Sequence, residues 1–497
     1  MPGSRPRHAT TSWYDVAWLM LSDVIGTSVL VFPGIIENLG WLLTVLFIMG
    51  LFPISFYVSV LMTRTRRLLL ETATLEAKDK PPSLGTMGEV ARCAFGNQRA
   101  AVAVYFTVYG YNLLGQASYL LVLGTSFQQL FWSSPICIPW AVAAGCAALA
   151  IPIFTVRRLG ESVILCLFNT IIIVAVIVLA LVHIAFMDRS SCHQTFLVPP
   201  GLTLMSVLGQ VTNVLYAFTG QWMYFELMDT MSQPQDFPRA FAISGPFMVA
   251  VYLTVALASY ALGAGRDDLV ASMEQGTALR VVALLLFVHV AIVYLIKSVV
   301  LARYFHGLFN PGEVEQRTAT SYFRHGGWGV AMLSFGFVVA NAVPFFSHLL
   351  GLIGGLLAGP INFILPIVLY LNASGRHIHL EKSDTTKVEG AFEREDGLIT
   401  EYGTCTMDSG EEEESSTTTS TTTTKSSQAQ QISRISACCA AVYALPAWEI
   451  AMLVCTLALT FLTIGLGFTD QVRQVLDLES QGAPFSCHRL ALGSSGA

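Results

Sequence analysis

Charge is scarce in this chain. Only 12% of its 497 residues are Asp, Glu, Lys or Arg, about half the share that a soluble globular domain carries. A large soluble protein built on several cores is therefore excluded as a first reading. Basic residues are not in excess either. The net charge is -6, and without a basic patch there is no footing for nucleic-acid binding. The ten cysteines show no metal-ligand spacing, so no metal site is expected. Cys438 and Cys439 are adjacent, as two plain thiols or as lipidation sites beside a membrane. No hydrolase motif is present, so no catalytic residues are assigned and the chain is read as a non-enzyme. Nothing resembles a selectivity filter, which argues against an ion channel. No cleavable signal peptide is expected, because the first apolar block is followed at once by a second.

What the chain has is apolar sequence in long blocks. Hydrophobic residues make up 54% and the mean hydropathy is +0.60. Blocks long enough to cross a hydrocarbon core fall at 14–32, 41–62, 100–131, 136–154, 162–187, 202–228, 241–263, 278–309, 328–343, 346–371 and 446–468. They are apolar all round, unlike amphipathic soluble helices. They are also too long and too continuous for a β-barrel. The fold class expected is an all-α membrane protein of about eleven transmembrane helices. Arginines from Arg5 and Arg7 through Arg64, Arg66, Arg67, Arg157 and Arg158 to Arg317 and Arg324 fall on one side of such a set. Arg189, Arg266, Arg280, Arg473 and Arg489 fall on the other. The excess of positive charge places the amino terminus in the cytoplasm and the carboxyl tail outside or in a lumen.

The organisation expected is a short cytoplasmic segment at 1–12, a transmembrane core at 13–371 and a cytoplasmic loop at 372–445. A last span at 446–469 and an extracytoplasmic tail at 470–497 follow. The loop holds Glu411 to Glu414 and a Ser/Thr tract from Ser415 to Thr424. It buries too little apolar surface to order itself, and disorder is expected. It also offers a site for a cytoplasmic partner. The sequon Asn372-Ala373-Ser374 lies on the same side and should be unmodified. Cys192 and Cys487 fall on the outer side, where a disulfide is allowed but not required.

Two groups of five spans correspond. The third and eighth blocks are the longest. The first and sixth are each interrupted by small polar residues, Ser22-Asp23-Val24-Ile25-Gly26-Thr27-Ser28 and Phe218-Thr219-Gly220-Gln221. Five is odd, so the groups enter the membrane from opposite sides as a 5+5 inverted repeat, with one extra helix at the carboxyl end. Broken helices near the midplane are the signature of a transporter site. Half-helix N-termini suit a carboxylate, and freed carbonyls suit an ammonium. An amino acid carries both. Ile25, Gly26, Thr27, Ser28, Phe218, Thr219 and Gly220 are therefore the candidate substrate site. The bland alternative is that Gly26 and Gly220 only let helices pack closely.

These residues carry a resemblance. Gly26-Thr27-Ser28-Val29-Leu30-Val31-Phe32-Pro33 with Leu39-Gly40-Trp41 is similar to a Gly-[Ser/Thr]-Gly-x-Leu-x-x-Pro pattern followed by Leu-Gly-Trp. Tyr216-Ala217-Phe218-Thr219-Gly220, then Met231, Pro234, Phe237-Pro238 and Ala240, resembles the same family's sixth span. Val343-Pro344-Phe345-Phe346, Gly351-Leu352-Ile353-Gly354 and Pro360-Ile361-Asn362-Phe363-Ile364-Leu365-Pro366 resemble its tenth. The chain thus resembles the amino acid/auxin permease family of the amino acid–polyamine–organocation superfamily. The resemblance implies eleven spans, a leucine-transporter-like (LeuT-like) fold and amino acids moved by alternating access. Ser28 departs from the family's second glycine.

Ionisable groups at membrane depth are costly and mark function by default. Asp23 sits in the first break and suits a transported proton or the substrate ammonium; its plain alternative is a carboxyl held by local donors. Glu226 suits a gate network or a structural hydrogen bond. Lys297 can stand in for a bound cation and hand over a proton, or it can snorkel to an interface. Asp23, Glu226 and Lys297 are the candidate coupling residues. Tyr109, Asn112 and Tyr294 are added to the substrate site, although aromatics at such depths often serve packing alone. The reading reached is a secondary active transporter of amino acids, proton-coupled, with no cofactor beyond the coupling ion. Sodium coupling, an auxin or polyamine substrate, and an amino acid sensor signalling through 372–445 are the alternatives. The plasma membrane and a vacuolar or other endomembrane fit equally.

Overall fold

The computed structural model describes residues 11–76, 82–134, 136–155, 163–187, 194–264, 268–310, 312, 316, 318–343, 345–398, 440–443 and 445–479. Among them the chain is helical, and the one β-type pairing is an isolated bridge between Thr11 and Met231. Ser12 opens α1 (Trp13–Val24) with a capping box to Asp15, which satisfies N–H groups that the first turn leaves bare. Then come α2 (Phe32–Leu75), α3 (Met87–Phe95), α4 (Gln98–Leu130), α5 (Ile138–Thr155) and α6 (Val163–Ala185). Thr86 caps α3 and Asn97 caps α4. The second half holds α7 (Leu204–Ala217), α8 (Tyr224–Thr230), α9 (Phe237–Ala261), α10 (Thr277–Phe309) and α11 (Ala319–Ala342). Finally α12 (Phe346–Ile353) runs through π-helical turns into α13 (Leu365–Leu398), and α14 (Ala447–Leu462) into α15 (Phe468–Glu479).

Six helical stretches among the described residues are long and apolar enough to cross a membrane: Thr27–Leu75, Leu165–Ala185, Pro234–Ala261, Thr277–Phe309, Phe346–Glu381 and Ala447–Asp477. Large apolar side chains such as Phe106, Trp140, Ile151 and Phe186 stand exposed on the outside, where lipid is the only solvent that fits them. The chain is an all-α integral membrane protein.

Gly40 divides α2 into two helices. Its φ of 76° lies in the left-handed region, which costs a side-chain-bearing residue about 1–2 kcal/mol. A Cβ there would also stand 2.7 Å from the Leu197 carbonyl oxygen. The corner lets the loop before α7 satisfy the new helix, because Trp41 N and Leu42 N donate to the carbonyls of Phe196 and Leu197. The Leu39-Gly40-Trp41 motif is this corner.

Several helices outrun their apolar blocks. The helix after Gly40 continues to Leu75, beyond the expected end at 62, and α11 begins at Ala319, ahead of 328. The largest difference is α13. A loop is expected from 372, yet the helix runs on to Leu398. Its first extra turns are tied down: Arg376 pairs with Glu76 and donates to the Cys93 carbonyl, and His377 lies 3.7 Å from Glu71. Hydropathy ends where lipid ends, whereas a helix ends where its partners do. Residues 399–439, with most of the expected partner-binding loop, lie outside the described residues, as does the tail from 480. Cys137 is disulfide-bonded; Cys192 and Cys487 lie outside the described residues.

The core that positions the site is a set of helix pairs. α4 packs along α10, α2 along α9, and α1 lies between α6 and α9.

Candidate functional site

Both expected breaks are present, and they meet. α1 stops at Val24; Ile25 and Gly26 leave helical geometry before a 3-10 turn over Thr27–Val31. α7 stops at Ala217, and the chain crosses Phe218 to Gly220 before a 3-10 turn over Gln221–Met223. Neither Gly26 nor Gly220 has a positive φ. At Gly220 the need is for space, since a Cβ would lie 3.1 Å from Val24 Cγ2 and 3.3 Å from the Tyr224 ring.

Several peptide groups freed by the breaks find partners within the protein. The Tyr252 hydroxyl, from α9, lies 2.7 Å from the Ala217 carbonyl and 3.1 Å from the Val24 carbonyl. One O–H therefore serves the last carbonyls of both half-helices. Phe32 stacks on the Tyr252 ring at 4.7 Å and Phe218 meets it edge-on at 5.6 Å. Asn362 Nδ2 donates to Thr219 Oγ1 at 2.8 Å and to the Leu215 carbonyl at 3.2 Å. Gly220 N donates to Gln221 Oε1 at 2.9 Å. Thr27 and Ser28 are buried. The crevice beside Val24, Phe218 and Tyr224 amounts to about 10 Å³, far too little for an amino acid. Residues 25–28 and 218–220 are all buried, and the two breaks lie against each other.

Space opens on one side of them. A cavity of about 530 Å³ starts at Asp23 and Lys297 and runs between α1, α6, α8 and α10 to Glu89, Asp229 and Arg303. Small-molecule sites occupy roughly 300–1,000 Å³. At its inner end Lys297 Nζ lies 3.0 Å from Asp23 Oδ1 and donates to the Tyr119 hydroxyl at 2.9 Å. The ammonium also faces the rings of Tyr119 at 5.3 Å and Trp222 at 5.6 Å, distances at which a cation is attracted to a ring face. The two charged side chains are only 10% and 12% exposed, so each depends on the other. The pair ties the last turn of α1 to the middle of α10.

Other polar groups on the cavity wall are unspent. Asp23 Oδ2, both amide atoms of Asn169 and Trp222 Nε1 are buried without a hydrogen-bond partner among the described residues. Buried polar groups are nearly always paired, and an orphan calls for an explanation. Toward the mouth, Glu89 accepts from Ser83 Oγ and Gly85 N, and Asp229 pairs with Arg66 at 3.0 Å.

The sequence-derived candidates divide accordingly. Asp23, Glu226 and Lys297 line the cavity. Ile25, Gly26, Thr27, Ser28, Phe218, Thr219 and Gly220 form the closed junction behind it. Tyr109, Asn112 and Tyr294 are not brought to either. Tyr109 stacks on Tyr304 at 3.6 Å beside Leu301 and Met332. Asn112 donates to the Val108 carbonyl of its own helix. Tyr294 is fully buried away from the cavity wall. Lys297 does not snorkel; its ammonium is turned inward. The residues missed are Tyr119, Asn169, Trp222 and Tyr252. Each is an ordinary polar or aromatic residue in an apolar helix, and no sequence signal sets it apart.

Two facing helix breaks and a cavity that carries charged side chains on otherwise apolar walls thus lie inside a helical membrane protein. The chain belongs to the transmembrane amino acid transporter protein family, whose model matches residues 9–387. This is a family of transporters and not of enzymes. The chain is similar to a transmembrane transporter of Fusarium pseudograminearum, 26% identical over 40% of this chain and 42% of that one. It is also similar to a transmembrane transporter of Gibberella moniliformis, 25% identical over 33% of this chain and 36% of the relative. An N amino acid transport system protein of Neurospora crassa is 25% identical over 32% of this chain and 35% of the relative. The matched stretch spans less than half the length of each of these relatives.

Proposed function

We propose that the protein carries amino acids across its membrane by alternating access, coupled to a proton, through eleven spans arranged as a 5+5 inverted repeat with one further helix. The observation that carries this reading is the buried Asp23–Lys297 pair, 3.0 Å across and at the head of the cavity. When both groups are charged, the pair clamps α1 to α10. A proton arriving through the cavity has a free acceptor in Asp23 Oδ2. Protonated Asp23 is neutral and releases the clamp, so α1 can shift against α10. The ammonium also stands where a metal cation would have to bridge the same two helices, which favours proton over sodium.

The junction of the breaks is the substrate site in its closed form. Tyr252 donates to the two carbonyls that a substrate ammonium would claim, and the substrate displaces its hydroxyl. The mouth with Arg66 and Glu89 faces the cytoplasm, in accord with the arginine distribution. The disulfide at Cys137 then falls on the opposite, oxidising side.

The test is uptake into liposomes holding the purified chain, with proton or sodium gradients imposed separately across a panel of amino acids. A proton gradient alone should drive accumulation, and Lys297→Met should abolish the response to it. Accumulation driven by sodium and indifferent to pH would reject the coupling proposed.

A further inference from the structure

We infer that the cavity below the Asp23–Lys297 pair is a binding site for a basic α-amino acid, its side-chain amine or guanidinium held by Glu226. This rests on the amino acid reading above and narrows it to a class. Four carboxylates line the cavity, Asp23, Glu89, Glu226 and Asp229, against two cations, Lys297 and Arg303. Asp23 is matched by Lys297 and Asp229 by Arg66, while Glu89 holds a local hydroxyl and N–H. Glu226 has no hydrogen-bond or ion-pair partner among the described residues. A carboxyl group in a recess of low dielectric either takes up a proton or gains a counter-charge, and an incoming cation supplies the second.

A second, independent feature points to a ligand. Asn169 is fully buried and Trp222 is 5% exposed; both belong to the lining of this cavity, and each has side-chain polar atoms without a hydrogen-bond partner among the described residues. The Trp222 ring lies 5.6 Å from the Lys297 ammonium, and Asn169 lines the same cavity as Asp23. Together these groups fit a zwitterion held in the cavity before Asp23 is protonated and the junction opens: Oδ2 takes the α-ammonium, while the Lys297 and Trp222 N–H groups and the Asn169 amide take the α-carboxylate. Glu226 follows Trp222 by four residues, about one helical turn or 5–6 Å further toward the mouth. The walls between are apolar, with Leu19, Leu227, Val293 and Ile296. An aliphatic stem ending in a cation spans that step.

Binding can be read on the purified full-length protein without transport, from the rise in melting temperature as ligand is added. L-Arginine is compared with L-citrulline, which keeps its shape and lacks its charge. Arginine should half-saturate at a concentration about tenfold lower, as suits a hydrogen bond between charged groups. Glu226→Gln should erase that difference, and Glu226→Asp should keep part of it. Equal effects of arginine and citrulline on the unaltered protein, or no effect of either, overturn the assignment. Should arginine bind as expected while liposomes accumulate no amino acid, the transport reading falls and the basic-ligand site stands.

Discussion

The junction of the two helix breaks and the cavity beside it are neighbours that differ in what their hydrogen bonds hold together. At the junction, Tyr252, Asn362 and Gln221 occupy groups that the interrupted helices leave bare. In the cavity, Asp23 Oδ2, the Asn169 amide and the Trp222 indole N–H have no protein partner among the described residues. The junction is not free of such atoms, since Gln221 Nε2 and Asn362 Oδ1 also lack a partner among the described residues, but its bonds tie bare backbone groups to side chains, whereas those in the cavity hold a pair of charges. The contrast teaches where to look for a ligand: in the cavity first, and at the junction only after Tyr252 has moved.

Four substitutions strain that comparison, in falling order of effect. Lys297→Met strands the Asp23 carboxylate, and breaking a buried pair from one side costs about 3–5 kcal/mol. Denaturant unfolding in detergent should show that loss, with much of it recovered when Asp23→Asn is added. Loss of less than about 1 kcal/mol would mean that water already screens the pair. Gly40→Ala forces a side chain into a left-handed corner and against a carbonyl oxygen, for at least about 1–3 kcal/mol in the same assay. The junction is then probed by Tyr252→Phe, which strips the hydroxyl donor from the Ala217 carbonyl and leaves the Val24 carbonyl with Gly26 N. It should cost about 1–3 kcal/mol while making the junction easier to open, seen as faster exchange of the amides around Phe218. The smallest effect belongs to the cavity. Asn169→Leu removes polar atoms that bind nothing among the described residues, so stability should stay within about 1 kcal/mol of the starting protein or rise. A destabilisation by Asn169→Leu as large as that by Tyr252→Phe would erase the distinction between the two regions.

The amino-acid order discloses the junction but not its closure. Glycine and hydroxyl residues interrupting apolar blocks mark Gly26 and Gly220, and the same blocks reveal the helices. Asp23 and Lys297 stand out because a charge in such a block is expensive. That they bond each other is decided by how α1 and α10 pack, which periodicity within either helix does not express. The same limit bears on Tyr109 and Tyr294, which do not line the cavity at Asp23 and Lys297. A helix as long as α4 or α10 shows every face to something, and only its neighbours determine which face meets the cavity. Tyr252 and Asn169 are hidden for the converse reason, since one phenol or amide in an apolar helix looks like packing. Helix ends were the least legible feature, because Arg376 holds α13 to Glu76 across a distance in sequence that no local pattern carries.

The most direct test of the central claim follows the proton itself. Liposomes containing the protein and a trapped pH dye, with sodium absent, are given external amino acid. The account predicts that the lumen acidifies in step with uptake, and that the Asp23→Asn/Lys297→Met protein, folded by its melting curve, leaves the dye unchanged. Amino acid entry with no pH change in the unaltered protein would contradict it.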